Sequence, residues 1–304
     1  MKKLLSLSIL VFATLTACVK VDIHTGEHRG DFKYSSNVTI PEGAEVSHDT
    51  LITFKVKEPA GEFSFKVSNI SGNLKVLKSD RNQIRVILKY KNDAQKYYNV
   101  YIYSNSSSAS IIVKSKEKWL QLKDNGKIDM IIFVPEGMGC LAISNVNGSI
   151  VVMDRIFEGE MSISTVNGDI KGKLKAGSLT LSSVNGYIRA GISADSVNVN
   201  NVNGSIKLVL GEFNEVDVNA VNGSISVSIP DNLGITGEAN TINGKIHYKE
   251  LETLPDFRVI GESSHLFWKL KGGNLKFKIG TGEAYLRTST INGSIRFHLI
   301  GGMI

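Results

Sequence analysis

Val146-Asn147-Gly148-Ser149-Ile150 opens a series of seven copies of one phrase: an aliphatic residue, Asn, Gly, a variable residue, then Ile. The seven corner pairs are Asn147-Gly148, Asn167-Gly168, Asn185-Gly186, Asn203-Gly204, Asn222-Gly223, Asn243-Gly244 and Asn292-Gly293. Successive glycines lie 20, 18, 18, 19, 21 and 49 residues apart. A period of about 20 residues marks a repeat architecture, in which each unit buries its faces only against its neighbours.

Working outward from the corner, hydrophobic residues alternate on both sides. Leu141 and Ile143, Leu179 and Leu181, and Val197 and Val199 precede it; Ile188-Ala190-Ile192 and Ile206-Leu208-Leu210 follow it. Period-two patterning means strands with one buried face, so each repeat is expected to hold at least two short strands joined at Asn-Gly. Asn-Gly is also a strong hairpin signal. A stack of hairpins, however, gives no reason for Val or Ile before Asn and Ile two residues after Gly in every copy. Coiling does. If each repeat is one turn, equivalent residues stack about 4.8 Å apart. Val146, Val166, Val184, Val202 and Val221 are then expected to form one buried ladder, and Ile150, Ile170, Ile188, Ile206 and Ile225 a second. Gly accepts positive φ at the corner and Asn tolerates it; stacked Asn side chains can hydrogen-bond along the column. The fold class expected is all-β, a single-stranded β-solenoid with rungs of 18–21 residues, right-handed as β crossovers are.

The two ends of the sequence read differently. Lys2 and Lys3, the apolar run Leu4 to Thr14, and Leu15-Thr16-Ala17-Cys18 have the order and spacing of a bacterial lipoprotein signal. The last four residues resemble the lipobox, which implies a signal peptide over 1–17 and lipidation of Cys18. Residues 18–36, with Gly26, Gly30 and charges of both signs, read as a tether. Val19 rather than Asp after the Cys points to the outer membrane where the cell has two. Residues 37–140 lack the full phrase but keep strand alternation, with a degenerate corner at Asn69-Ile70-Ser71-Gly72-Asn73-Leu74. They are expected to form irregular rungs and a cap; a separate small β-sandwich is the alternative. Residues 141–304 are expected to form the regular coil with C-terminal cap rungs, the open end plugged by Trp268.

Lipobox, strands ending in Val134-Pro135-Glu136-Gly137, and tandem Val-Asn-Gly-x-Ile rungs together resemble the bacterial putative-adhesin family of β-strand-repeat envelope proteins. The resemblance covers roughly residues 40–300 and implies a β-solenoid. It brings no catalytic residues with it.

Chemistry is sparse. The slot after each Gly reads Ser149, Asp169, Tyr187, Ser205, Ser224, Lys245 and Ser294, and Asp154, Asp195, Asp217 and Asp231 occupy different repeat positions. Glycan-cleaving sites need clustered carboxylates; none aligns here. No metal-protease, P-loop, nucleophile-elbow or calcium-repeat motif occurs. His24 and His28 have no further ligand types beside them, and Cys140, next to Leu141, reads as a small buried apolar residue. No enzyme activity, metal or cofactor is expected. Formal net charge is +6, or +4 without Lys2 and Lys3. Outward positions before the corner are small and polar; those after it include Lys171, Arg189, Lys207, His247 and Arg296. Stacked, these five make a basic stripe, read either as a solvated face or as a site for anionic envelope glycan or lipid headgroups. The expected partners are the membrane, through the lipid anchor, and an anionic glycan or a protein partner on the small polar face. Nucleic acid is not expected behind an export signal. The function expected is a surface or adhesion-type binding protein, with an envelope stress-response accessory module that binds a protein partner as the alternative and a glycan-processing enzyme, its site assembled from distant rungs, as the third reading.

Ile206→Asp is expected to disrupt the stack, whereas Ser205→Ala leaves it nearly unchanged; thermal melts of the two variants, compared with the parent, decide this.

Overall fold

The computed structural model describes residues 49–56, 60–116, 126–153, 158–260 and 273–300. The signal peptide, Cys18, the tether, Asp154 and Trp268 lie outside the described residues. Those described form a sheet of twenty strands, interrupted only by short helical turns at Ala60–Glu62, Ala94–Tyr97 and Leu251–Thr253.

Hydrogen bonding at the corner shows what kind of turn Asn-Gly makes. The Gly148 N–H donates to Asn167 O at 2.9 Å and the Ile150 N–H to Asp169 O at 2.8 Å. In the next repeat, Gly168 donates to Asn185 O and Ile170 to Tyr187 O. A hairpin would close such bonds within its own turn; here they reach the following repeat. The strands agree. Glu160–Asn167 pairs in parallel with Cys140–Asn147 on one side and with the second half of Ile170–Asn185 on the other. Equivalent residues face each other throughout: Leu74, Ile150, Ile170, Ile188, Ile206, Ile225 and Ile295 form one in-register column. All seven are buried.

The two short strands expected per repeat are merged in the central repeats. Ile170–Asn185, Ile188–Asn203 and Ile206–Asn222 each run unbroken from one Asn-Gly corner to the next. Each nevertheless turns once on the way, through a slip in side-chain parity. In Ile188–Asn203 the inward positions are 188, 190, 192 and 194, then 197, 199 and 201, all buried, while Asn200 on the outward parity is buried as well. The consecutive outward residues Asp195 and Ser196 absorb the slip, which moves the buried set from even to odd numbers. In Ile206–Asn222 one extra residue enters first, so that Ala194 faces Phe213 rather than residue 212. This β-bulge is why that repeat is 19 residues long and not 18.

Stacking order departs from chain order at both ends. The degenerate corner joins the column directly, Asn69 facing Asn145 and Leu74 facing Ile150. Beyond it one more parallel strand joins each arm, Lys127–Val134 beside Leu74–Lys78 and Ser108–Ser115 beside Ser64–Ser71; outside these the sheet continues antiparallel, through Gln83–Lys91 and Asp49–Lys55 on one arm and Tyr98–Ser104 on the other. At the far end Ala284–Asn292 lies between Ile206–Asn222 and Ile235–Thr241, and Ile295–Ile300 lies between Ile225–Pro230 and Ile246–His247. The Gly293 corner is therefore inserted ahead of the Gly244 corner. Phe257, Phe277, Phe297 and Tyr248 pack there with ring centroids 5.3 to 6.0 Å apart.

The corner itself corrects three expectations. First, the Val column is not a buried ladder. Val146 is 38% exposed, Val166, Val184 and Val202 are half-buried, and only Val221, at 7%, is inside. Parity puts the preceding residue inward instead: Asn145, Thr165, Ser183, Asn201, Ala220, Thr290 and Thr241 are all buried. Their side chains serve the corner carbonyls. Asn145 Nδ2 donates to Gly72 O at 2.7 Å, Asn201 Nδ2 to Gly186 O at 2.8 Å, Thr290 Oγ1 to Gly223 O at 2.9 Å and Thr241 Oγ1 to Gly293 O at 2.8 Å. Thr165 and Ser183 reach Gly148 O and Gly168 O in the same way. Ala220 carries no group that could reach Gly204 O.

Second, positive φ is confined to Gly72, Gly148 and Gly204 among the eight corner glycines. What demands glycine throughout is close approach. A Cβ on Gly186 would lie 1.9 Å from Gly168 O, and one on Gly244 would lie 1.8 Å from Gly293 O. Third, no corner Asn has positive φ. The Asn side chains instead run as a ladder, each Nδ2 donating to the neighbouring Oδ1 at 2.7 to 2.9 Å through Asn147, Asn167, Asn185, Asn203, Asn222, Asn292 and Asn243.

Gly186→Ala should cost about 3 kcal/mol or more, because two backbones must part. Gly137→Ala, with φ of +74° and open space around it, should cost only the left-handed penalty of about 1–2 kcal/mol. Chemical denaturation of both variants checks the contrast. Ala220→Ser should stabilise by about 0.5–1.5 kcal/mol by supplying a donor to Gly204 O, read as a higher denaturation midpoint at unchanged slope.

Candidate functional site

The arm that leaves each corner points alternate side chains into the core and out to solvent. The first outward position stacks as Lys75, Val151, Lys171, Arg189, Lys207, Ser226, Arg296 and His247, each facing the next across a parallel strand pair. The structure thus brings Lys171, Arg189 and Lys207 into three consecutive rungs. It sets Arg296 and His247 side by side beyond Ser226. Sequence spacing would have placed His247 before Arg296; the inserted Gly293 corner reverses them. Lys75 extends the column past Val151 and was missed because its corner reads Ser-Gly-Asn-Leu rather than Val-Asn-Gly-x-Ile. The alternation Lys75-Val76 after that corner was the available signal. Lys173 and Lys175 add two more exposed cations to the same face, one and two outward positions beyond Lys171.

Like charges directly opposite on adjacent strands destabilise a sheet. Partial relief comes from the corner: Lys171 Nζ lies 2.8 Å from Asp169 Oδ2. Burial alone would raise the Asp169 carboxyl. The hydrogen bond from Lys171, the Tyr187 N–H at 3.0 Å and the charges of Lys171 and Arg189 outweigh it and hold the carboxyl below its usual range. Asp169 therefore stays ionised well into acid, and its contribution to stability is lost only as pH falls through that lowered value. His247 is shifted the other way for a cation: burial, then the charges of Arg296 and Lys245, push its pKa below the ordinary histidine value. At neutral pH it sits uncharged in the stripe, and it becomes cationic only on stronger acidification.

Elsewhere the titratable groups stay scattered. Asp195 and Asp231 are exposed on separate turns. Asp217 and Glu238 share Arg287, at 3.6 and 3.9 Å. Among the described residues no three of His, Cys, Asp and Glu come together as metal ligands. Cys140 is half-buried at the start of its strand, not the buried residue expected, because it faces Glu160 and Ser64 on the outward parity while Leu141 turns inward. No helix among the described residues is long and apolar enough to cross a membrane.

No protein-family model matches the sequence. No curated protein matches it either. Solved structures similar to the chain include a putative cell adhesion protein from Clostridium sporogenes, 15% identical over 83% of this chain and 100% of that one, with a TM-score of 0.40. A putative adhesin from Bacteroides fragilis is 11% identical over 83% and 98%, with a TM-score of 0.41. A putative lipid binding protein from Parabacteroides distasonis is 11% identical over 83% and 95%, with a TM-score of 0.40. Adhesin-described structures are thus among the neighbours of a chain whose repeat phrase resembles that family. At these scores no residue role or activity passes from them to this protein.

Proposed function

We propose that this chain is a lipid-anchored β-solenoid of the cell envelope, acting as a non-enzymatic, adhesion-type binding protein whose basic face holds an acidic glycan. The observation that carries the reading is the in-register column of Lys171, Arg189 and Lys207, with Lys75 beyond Val151 on one side and Arg296 beyond Ser226 on the other. Cations repeated about 4.8 Å apart along a rigid axis suit a polyanion better than a single small anion. A stack that tolerates such repulsion gains when a polyanion neutralises it. The lipobox resemblance at Cys18 supports the envelope address, and Val19 in place of Asp after it favours the outer membrane where two membranes exist. Coiling, in which each Asn-Gly corner bonds to the next repeat, supports the solenoid reading.

Changing Lys171, Arg189 and Lys207 together to Gln should weaken binding of polygalacturonate by about tenfold or more at low salt, while leaving thermal stability equal or slightly higher through relieved repulsion. For the parent protein, binding should fall as ionic strength rises and the Debye length shortens from about 30 Å to about 8 Å. Polygalacturonate binding that survives the triple change rejects the stripe. Binding transferred to vesicles of anionic lipid, and absent from the polysaccharide, reassigns the face to headgroups.

A further inference from the structure

The fold leaves one feature of the repeat unexplained. Every copy of the phrase keeps Val or Ile before Asn, yet that position is exposed or half-buried in every copy but Val221, and Ile242 is 61% exposed. On the arm that enters the corner, this aliphatic column borders a trough of about 670 Å³. Val202, Val221, Ile291 and Ile242 form the ledge on the corner side. The floor, two residues earlier in each rung, is Asn200, Asn219, Ser289 and Asn240, facing one another in register. Ser182 closes the floor one rung beyond Asn200.

The polar groups there are not fully used. Ser182 is only 1% exposed and its hydroxyl has no hydrogen-bond partner among the described residues. Asn219 Nδ2 reaches Asn200 Oδ1 at 3.4 Å, and Asn200 in turn donates to Asn198. Buried polar groups are normally paired, and a ligand hydroxyl would serve the one left over. A carboxamide both donates and accepts and carries no charge. On the next outward column, Asp217 and Glu238 are paired with Arg287. The trough therefore selects a neutral ligand with one edge of donors and acceptors and one apolar side. Its rungs recur about every 4.8 Å, whereas an extended peptide repeats same-side groups about every 6.6–6.8 Å and falls out of step. A sugar chain meets both demands, with hydroxyls on its rim and C–H groups on its ring faces.

We propose that this trough is a second binding site, independent of the basic face, for a neutral oligosaccharide lying along the stack. Hydroxyls engage Asn200, Asn219 and Ser182, and ring C–H faces rest on Val202, Val221 and Ile291. The test titrates the full chain with uncharged hexasaccharides of glucose, of galactose and of N-acetylglucosamine, at low and at high salt. At least one should bind with an affinity that salt leaves unchanged. Asn200→Ala with Asn219→Ala should weaken it by about tenfold or more, and the Lys171, Arg189 and Lys207 to Gln variant should bind it as the parent does. Should the Asn double variant fold poorly, side-chain NH₂ resonances of Asn200 and Asn219 in the parent should shift on titration. The proposal is overturned if none of the three sugars binds, if those resonances stay still, or if binding follows the basic face and salt instead. Loss of polygalacturonate binding alone touches only the basic face.

Discussion

Backbone pressed on backbone at the Asn-Gly corner is the contact from which the rest of the structure follows. Each Asn-Gly corner glycine sits with its Cα against the carbonyl of the glycine one rung away, where no Cβ fits. That contact sets the register of both arms, because strands leaving a shared corner have no freedom to slip by one residue without turning the core face outward. Register in turn builds the Ile column, whose identical side chains stack without gaps. The Asn ladder and the buried Asn, Thr and Ser donors complete the corner by giving partners to groups that the close approach removes from water.

Stacking in register also turns single surface residues into lines. A lone lysine on a strand is a solvated charge, whereas lysine or arginine at the same rung position becomes a row on a rigid axis. The same holds for the outward aliphatic residue and for the Asn and Ser two residues before it. Two faces of opposite character result. One repels itself and suits a polyanion; the other is neutral, amide-lined and partly apolar. The first runs through three consecutive rungs, and the second through the rungs from Ser182 to Asn240. Such surfaces suit extended polymers better than compact ligands, which is the physical ground of the binding role proposed above.

Much of this was legible from residues alone. Alternation about each Asn-Gly gave the strands, and Ile two residues after Gly gave the column that lies deepest in the core. The five basic residues at one rung position were already a stripe on paper. Other features were misread for physical reasons. The Val before Asn looked as regular as the Ile after Gly, but parity at the corner decides burial, and parity there follows backbone direction, not hydrophobicity. Positive φ is the local reason for glycine; the operative reason is a neighbour 18 or more residues away in sequence, as with Gly168 and Gly186. Lys75 was overlooked because its corner lacks the Val-Asn spelling.

By itself the sequence determined the period, the strand pattern, the residues that must turn inward after each glycine and the net positive balance, since these depend on local chemistry and spacing. Only tertiary structure decided the order of the rungs, with the Gly293 corner inserted before the Gly244 corner, and the trough beside the aliphatic ledge. Both arise from contacts between segments far apart in the chain, where no local preference favours one partner and packing of whole faces settles the choice.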